Sequence, residues 1–377
     1  MFCGIFRAKP QTPFFLIKRE SRNSLWGHAL SPFFCYNGFM KQALFWVKKD
    51  NKIQCQLCNH YCLIAEGKRG ICAVRKNIQG KLYALDYGKV ITANIDPIEK
   101  KPLFHFLPGS LSYSIATVGC NFRCVHCQNA DISQYAEKKL EADFVPGQDT
   151  KPEEIVKTAK ESKCLSISYT YTEPTIYAEF ALDCMKLAKK AGLKNVWVSN
   201  GYTASEAWPE ILPYLDAINV DLKFFTNETY LKICGAKLQP VLDNLKLLNH
   251  HKIWLEITTL IIPGLNDSAK ELEEIAKFIK NYLGPETPWH ISRFFPQYKL
   301  QDENPTEEDL IYQAYKIGKD AGLKYVYGGN IISDTLENTY CPKCNELVIR
   351  RTGYQIKRFD KNGFCPKCKE KIDLILS

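Results

Sequence analysis

From residue 112 onward the chain alternates two rhythms. Short runs rich in β-branched and aromatic residues, such as LSISYTYT (165–172) and AINVDLK (217–223), give way to longer segments whose apolar positions recur at three- and four-residue steps. The first rhythm is that of strands, the second that of amphipathic helices. Seven strands are predicted, at 112–119, 165–172, 195–200, 217–223, 253–261, 289–294 and 325–329. Helical patterns fall between them at 152–163, 175–192, 269–283 and 306–322, with Gly192 and Gly322 where C-caps belong. Such repeated alternation means a parallel sheet, either doubly wound or curled into a barrel. No G-x-G-x-x-G follows the first strand, which argues against a dinucleotide-binding sheet.

The flanks are organised differently. Residues 1–39 mix Pro, Phe and basic residues without a period and lack the apolar core and small-residue cleavage site of a secretory signal. They are basic and acid-poor, which leaves only a weak transit-peptide reading. They are expected to form a poorly ordered extension, with organised sequence beginning at Met40. In DPIEKKPLFHFLPGS (96–110), Pro97, Pro102 and Pro108 bar a helix, while Phe104 and Phe106 alternate like a strand edge. A linker is preferred there over a lining for a substrate mouth. Four regions are therefore expected: the extension 1–39, a cysteine-rich module with linker over 40–111, an α/β core over 112–335, and a small cysteine module over 336–377.

Composition narrows the class. No apolar run reaches the roughly 20 residues that span a bilayer. The net charge of +9 gathers at the ends: 1–54 carries nine Lys/Arg against two acids, and 341–377 nine against four. No aromatic-basic stacking pattern accompanies it, so nucleic acid is disfavoured as a partner. Eleven of the sixteen cysteines fall into three tight groups. Grouped spacings in a chain this long read as metal sites in a reducing compartment, here the cytoplasm, rather than disulfides. The other five, Cys234 among them, read as inert, most of them small core residues.

The groups differ in kind. Cys341/Cys344 and Cys365/Cys368 are two CPKC knuckles, read as a zinc ribbon that staples the terminus or meets a partner. Cys55, Cys58, Cys62 and Cys72 follow C-x2-C-x3-C-x9-C, a loop too small to fold on burial alone. Zinc and an auxiliary iron–sulfur cluster both fit it, with zinc the first expectation. The middle group, Cys120, Cys124 and Cys127, has only three members. An iron–sulfur cube held by three thiolates keeps one iron for a small molecule. The plainer alternative is a zinc ion completed by His126, which the triplet spacing disfavours.

C-x3-C-x2-C directly after the first strand, with Phe122 inside it and Gln128-Asn129 behind, resembles the radical S-adenosylmethionine (SAM) superfamily. That resemblance implies a partial TIM-like (β/α)6 barrel, a [4Fe–4S] cluster on Cys120, Cys124 and Cys127, and SAM on the open iron. It assigns Glu173 of YTYTEPT to the SAM amino group, Ser199 and Asn200 of VSNGY to the ribose, Asp221 and Lys223 of DLK to the zwitterion, and His290 of WHISRFFP to the carboxylate. The plainer readings are a helix N-cap for Glu173 and structural roles for the salt bridge and the histidine. The order CxLC-H-xC…GxRGxCxVRxN, then DPIEKKPLFHFLPGS, then the core and the CPKC ribbon covers about 40–377. It resembles the radical SAM enzyme of the AmmeMemoRadiSam system, related to pyruvate formate-lyase activating enzymes, although Thr172 stands where that family commonly has Asn. The resemblance implies reductive SAM cleavage, a one-electron donor such as flavodoxin or ferredoxin, and a protein or small-molecule substrate. Glycyl-radical activation competes there with modification of RNA or of a substrate held by partner proteins.

Overall fold

A computed structural model describes residues 40–135 and 144–377; the extension expected over 1–39 lies outside the described residues. The large sheet has eight strands: β1 (Thr92–Pro97), β2 (Leu111–Ala116), β3 (Ser166–Tyr169), β4 (Lys194–Ser199), β5 (Ala217–Asp221), β6 (Trp254–Ile261), β7 (Trp289–Arg293) and β8 (Val326–Gly329). Their spatial order is their chain order; β1 runs antiparallel to β2, and β2 through β8 are all parallel. All seven strands expected from the pattern are therefore present. β1 was missed, because TANIDP carries Asn, Asp and Pro, residues that strands tolerate mainly at an edge.

Strand order without reversal decides between the two α/β architectures. Each right-handed crossover returns to the same side, so the helices cover one face and the sheet curls around the other as an open barrel. The main crossover helices are α1 (Pro152–Glu161), α2 (Ala178–Lys190), α3 (Leu238–His250), α4 (Ala269–Phe278) and α5 (Glu308–Asp320). The period of two assigns the faces. Ile115, Ile167, Trp197, Ile257, Trp289 and Ile291 are buried in one cluster with helix residues such as Met185, Leu245 and Ile275. The alternate residues are small or polar and bond to one another inside the barrel: Ser112 with Ser168 at 2.5 Å, Thr258 with Asn219 at 2.9 Å, and Glu256 with His290 at 2.6 Å.

The segment 98–110 joins the end of β1 to the start of β2, so it lies under the N-terminal ends of the parallel strands. It opens with a 3-10 turn (Ile98–Lys100) rather than a strand edge, and Phe104 and Phe106 are buried. Leu103, Phe106 and Leu107 pack on Val196 and Ala217 and plug the barrel from below. The C-terminal tail ties onto this plug through Leu107 N–H to the Ile375 carbonyl (2.8 Å) and Ile375 N–H to the His105 carbonyl (2.9 Å). The linker is thus a floor, and it does not line a mouth at the strands' C-terminal ends.

Two small β modules flank the barrel. Residues 41–84 form two three-stranded antiparallel sheets that carry Cys55, Cys58, Cys62 and Cys72. The C-terminal module pairs Thr339–Tyr340, Leu347–Thr352 and Gln355–Arg358. It packs on Phe104, Tyr325 and Tyr327, and Arg351 donates to the Phe104 carbonyl at 2.7 Å, so it sits at the floor. Among the described residues no helix is long and apolar enough to cross a membrane.

Candidate functional site

The triplet Cys120, Cys124 and Cys127 lies on the loop that leaves β2 at its C-terminal end. Gly119 permits the course of that loop: its φ is +99°, and a Cβ there would stand 2.8 Å from the Cys72 carbonyl. The three thiols are held by local contacts. Phe122 N–H reaches the Cys120 Sγ at 3.3 Å, Asn200 Nδ2 lies 3.9 Å from the same sulfur, and the Cys127 Sγ meets the Ser133 hydroxyl at 3.0 Å. Behind the loop, Arg123 N–H bonds the Cys234 carbonyl and Val125 N–H the Ile233 carbonyl, which brings the buried Cys234 to Cys124. Each thiol is held well up or raised from its ordinary range: Cys120 by burial and the Glu173 charge, Cys124 by the Cys234 thiol and burial, Cys127 by burial. Bare thiolates are disfavoured here, and a bound metal would favour them.

Two polar groups flank the triplet. On the Cys120 side, Glu173 accepts from Thr175 N–H (3.0 Å), Thr175 Oγ1 (2.6 Å), Ser199 Oγ (2.8 Å) and Asn200 N–H (2.8 Å). Three of these donors fall on Oε1 and one on Oε2. The carboxylate caps the 3-10 turn Pro174–Tyr177, as the plainer reading expected, and at the same time orients Ser199 and Asn200. Burial raises its pKa against those four donors. Asn200 continues the network, donating to the Asn121 Oδ1 at 2.7 Å. On the Cys124 side, Lys223 bonds Asp221 at 2.7 Å. Although burial opposes it, the charges of Asp221, Cys124 and Cys234 hold Lys223 well above its ordinary range. His126 does not join the thiols. It is buried, its Nδ1 has no hydrogen-bond partner, and burial with the Lys223 charge pushes its pKa down to about 3.

Glu173, Ser199, Asn200, Asp221 and Lys223 are thus brought to the triplet, and His290 is not. It stands near the start of β7, bonds Glu256 and stacks edge-on against Phe104 of the floor at 4.7 Å. The resemblance assigned it to the SAM carboxylate; its position here matches the plainer, structural reading.

The sequence matches the family model described as the Radical SAM superfamily over residues 114–279. An uncharacterized protein of Methanocaldococcus jannaschii is 46% identical over 341 residues, which is 89% of this chain and all of that one. The chain belongs to the radical SAM superfamily. It is an enzyme of that superfamily related to the pyruvate formate-lyase activating enzymes: that of Clostridium pasteurianum is 26% identical over 200 residues, covering 49% of this chain and 80% of that one. Among solved structures, a domain of the pyruvate-formate lyase-activating enzyme from Bacteroides vulgatus aligns with a TM-score of 0.39 at 19% identity, over 44% of this chain and 99% of that one. Membership in the radical SAM superfamily implies SAM and a [4Fe–4S] cluster. Three thiols on the loop after β2, with two N–H donors near the Cys120 sulfur, fit such a cluster.

The ribbon cysteines form a different kind of centre. Cys341 and Cys368 sulfurs lie 3.5 Å apart, Cys344 and Cys365 3.6 Å, and all four lie within 4.8 Å of one another. Zn–S bonds of 2.3 Å in a tetrahedron put sulfurs about 3.8 Å apart, so one ion fits between them.

Proposed function

We propose that this radical SAM enzyme binds its [4Fe–4S] cluster through Cys120, Cys124 and Cys127 and uses it to cleave SAM. Held there, a [4Fe–4S] cluster would supply the one-electron chemistry that splits SAM into methionine and a 5′-deoxyadenosyl radical able to take a hydrogen atom from the substrate. The chain's own residues bind and orient. The Asp221–Lys223 pair offers opposite charges to the amino acid end of SAM, and Glu173 Oε2, with one protein donor, can receive an ammonium. Ser199 and Asn200, locked by Glu173, are assigned to the ribose. His290 has no part in this assignment. Zinc is assigned to Cys341, Cys344, Cys365 and Cys368. The floor and the tail close the lower end, so water is excluded there and the substrate enters from the cysteine end.

Kinship with pyruvate formate-lyase activating enzymes supports a glycyl residue of a protein as substrate and a low-potential flavodoxin or ferredoxin as donor. Modification of RNA delivered by the ribbon is disfavoured, because the ribbon packs at the floor, at the other end of the strands from the triplet. The observation that carries the proposal is the three-thiol loop flanked by two polar clusters at the strand ends. Anaerobically loaded, dithionite-reduced protein incubated with SAM is expected to release 5′-deoxyadenosine, and Cys124→Ala to abolish it. Cluster-loaded wild-type protein that releases none would end the proposal.

A further inference from the structure

The second cysteine group, 55–72, sits against the first. Cys58 pairs with Thr203 in an isolated bridge, Asn59 Nδ2 donates to the Thr203 carbonyl at 2.8 Å, and the His60 Nε2 meets the Asn121 carbonyl at 2.8 Å. Cys55, Cys58, Cys62 and Cys72 line a single pocket together with Arg75 and Asn121. Gly70 lines the same pocket, where a Cβ would press on Ile64 Cδ1 at 3.3 Å.

Three features separate this centre from the ribbon. Among the described residues, the ribbon quartet is the one group of three or more candidate ligands whose donor atoms lie within 4.8 Å of one another. The four thiols of the N-terminal pocket do not form such a group, and neither do those of the triplet. Second, Arg75 is 1% exposed, pairs with Glu179 through Nη2, and has Nε and Nη1 buried without partners. Third, Asn121, also 1% exposed, has Nδ2 buried without a partner. Orphaned buried donors are costly, and three of them belong to two residues that line one cysteine pocket. Bridging sulfides would add acceptors to the four thiolate sulfurs, where a lone zinc ion adds none.

We infer that the pocket of Cys55, Cys58, Cys62 and Cys72 holds a second, four-thiolate iron–sulfur cluster, with Arg75 and Asn121 donating to it. Asn121 follows Cys120, and its Oδ1 takes the Asn200 amide, so one residue touches both centres. The second cluster is the electronic neighbour of the first. It accepts one electron from a low-potential ferredoxin or flavodoxin and returns to its oxidised state by giving that electron to the triplet-held cluster.

The test counts iron, sulfide and zinc in full-length protein purified without air, beside a Cys120→Ala/Cys124→Ala/Cys127→Ala variant. Wild type should hold about eight irons and one zinc, and the variant about four irons and one zinc, with an electron paramagnetic resonance signal on reduction. About four irons and two zincs in wild type, falling to none and two in the variant, would overturn the inference. Iron that stays at four in both would instead defeat the triplet assignment and leave this centre standing. Should the triple variant aggregate, the wild-type count alone decides. Arg75→Lys, which removes the fork but keeps the charge, should shift the reduction potential of the signal that remains in the triplet variant; no shift would remove Arg75 from the cluster's surroundings.

Discussion

Glu256 is the test of how the barrel floor is held. It is fully buried and accepts four hydrogen bonds: His105 N–H (2.9 Å) and Trp254 Nε1 (3.0 Å) on Oε1, Phe104 N–H (2.9 Å) and His290 Nε2 (2.6 Å) on Oε2. Glu256→Gln keeps the shape but turns one oxygen into a donor. With the amide on the Oε1 side, the His105 N–H and the Trp254 Nε1–H lose their acceptor. On the other side His290 can present a lone pair, and only the Phe104 N–H is orphaned. A buried unsatisfied donor costs about 1–3 kcal/mol, and the better orientation orphans one, so the substitution should destabilise by about 1–3 kcal/mol, and Glu256→Ala by more. Urea unfolding of the metal-loaded protein should show the midpoint falling with the slope unchanged. The pH dependence has a definite sign. Burial pushes the Glu256 pKa up, but His290, His105 and Trp254 outweigh it and hold the acid below its usual range. Its stabilisation is therefore present above about pH 4 and fades as acid protonates it, so the gap between wild type and Glu256→Gln should narrow toward low pH. SAM cleavage per folded molecule should survive both Glu256→Gln and His290→Gln. A loss under about 1 kcal/mol, or a stable His290→Gln protein unable to cleave SAM, would refute the placement of this pair at the floor.

Other expectations are simpler. Glu173→Gln should keep its iron but slow SAM cleavage by about 10- to 100-fold, since Glu173 orients Ser199 and Asn200; unchanged kinetics would show that the network is only a cap. Asp86 is buried with Oδ1 unpartnered, and burial, against the Arg75 charge, raises its pKa to about 7. The folded state then holds a proton that the unfolded chain has released, so this group makes stability fall as pH rises from about 4 to 7, and Asp86→Asn should flatten that limb in urea titrations. Cys365→Ala should lose one zinc and lower the thermal midpoint while 5′-deoxyadenosine formation by the folded fraction persists; abolished cleavage in folded protein would give the ribbon a catalytic part.

What the sequence could and could not disclose follows from what a pattern encodes. Alternation found all seven parallel strands because both faces of each are shielded, one by helices and one by the barrel interior. It passed over β1, whose polar edge residues carry no such signal. Spacing identified the triplet, because three ligands cannot complete a structural site. It could not tell zinc from a cluster at 55–72, because spacing reports the number of sulfurs and not the separation between them. Cys234 looked inert, and its approach to Cys124 comes from backbone bonds between 123–125 and 233–234 that no local pattern announces. His290 was assigned to the SAM carboxylate by resemblance alone, and the structure sets it against Glu256 and Phe104 at the floor.

The height matters for the chemistry. β2 is six residues long, which sets the floor and the triplet about 17 Å apart along one strand. Everything that seals the barrel, namely the plug, the Glu256 network, the tail and the ribbon, lies at one end. Everything that handles charge near the thiols lies at the other, with a second cysteine centre packed against the first. A radical enzyme must admit an electron and a substrate while shutting out water. The N-terminal module meets the loops after β2 and β4, so on the inference drawn above an electron held there reaches the triplet without passing through the barrel interior.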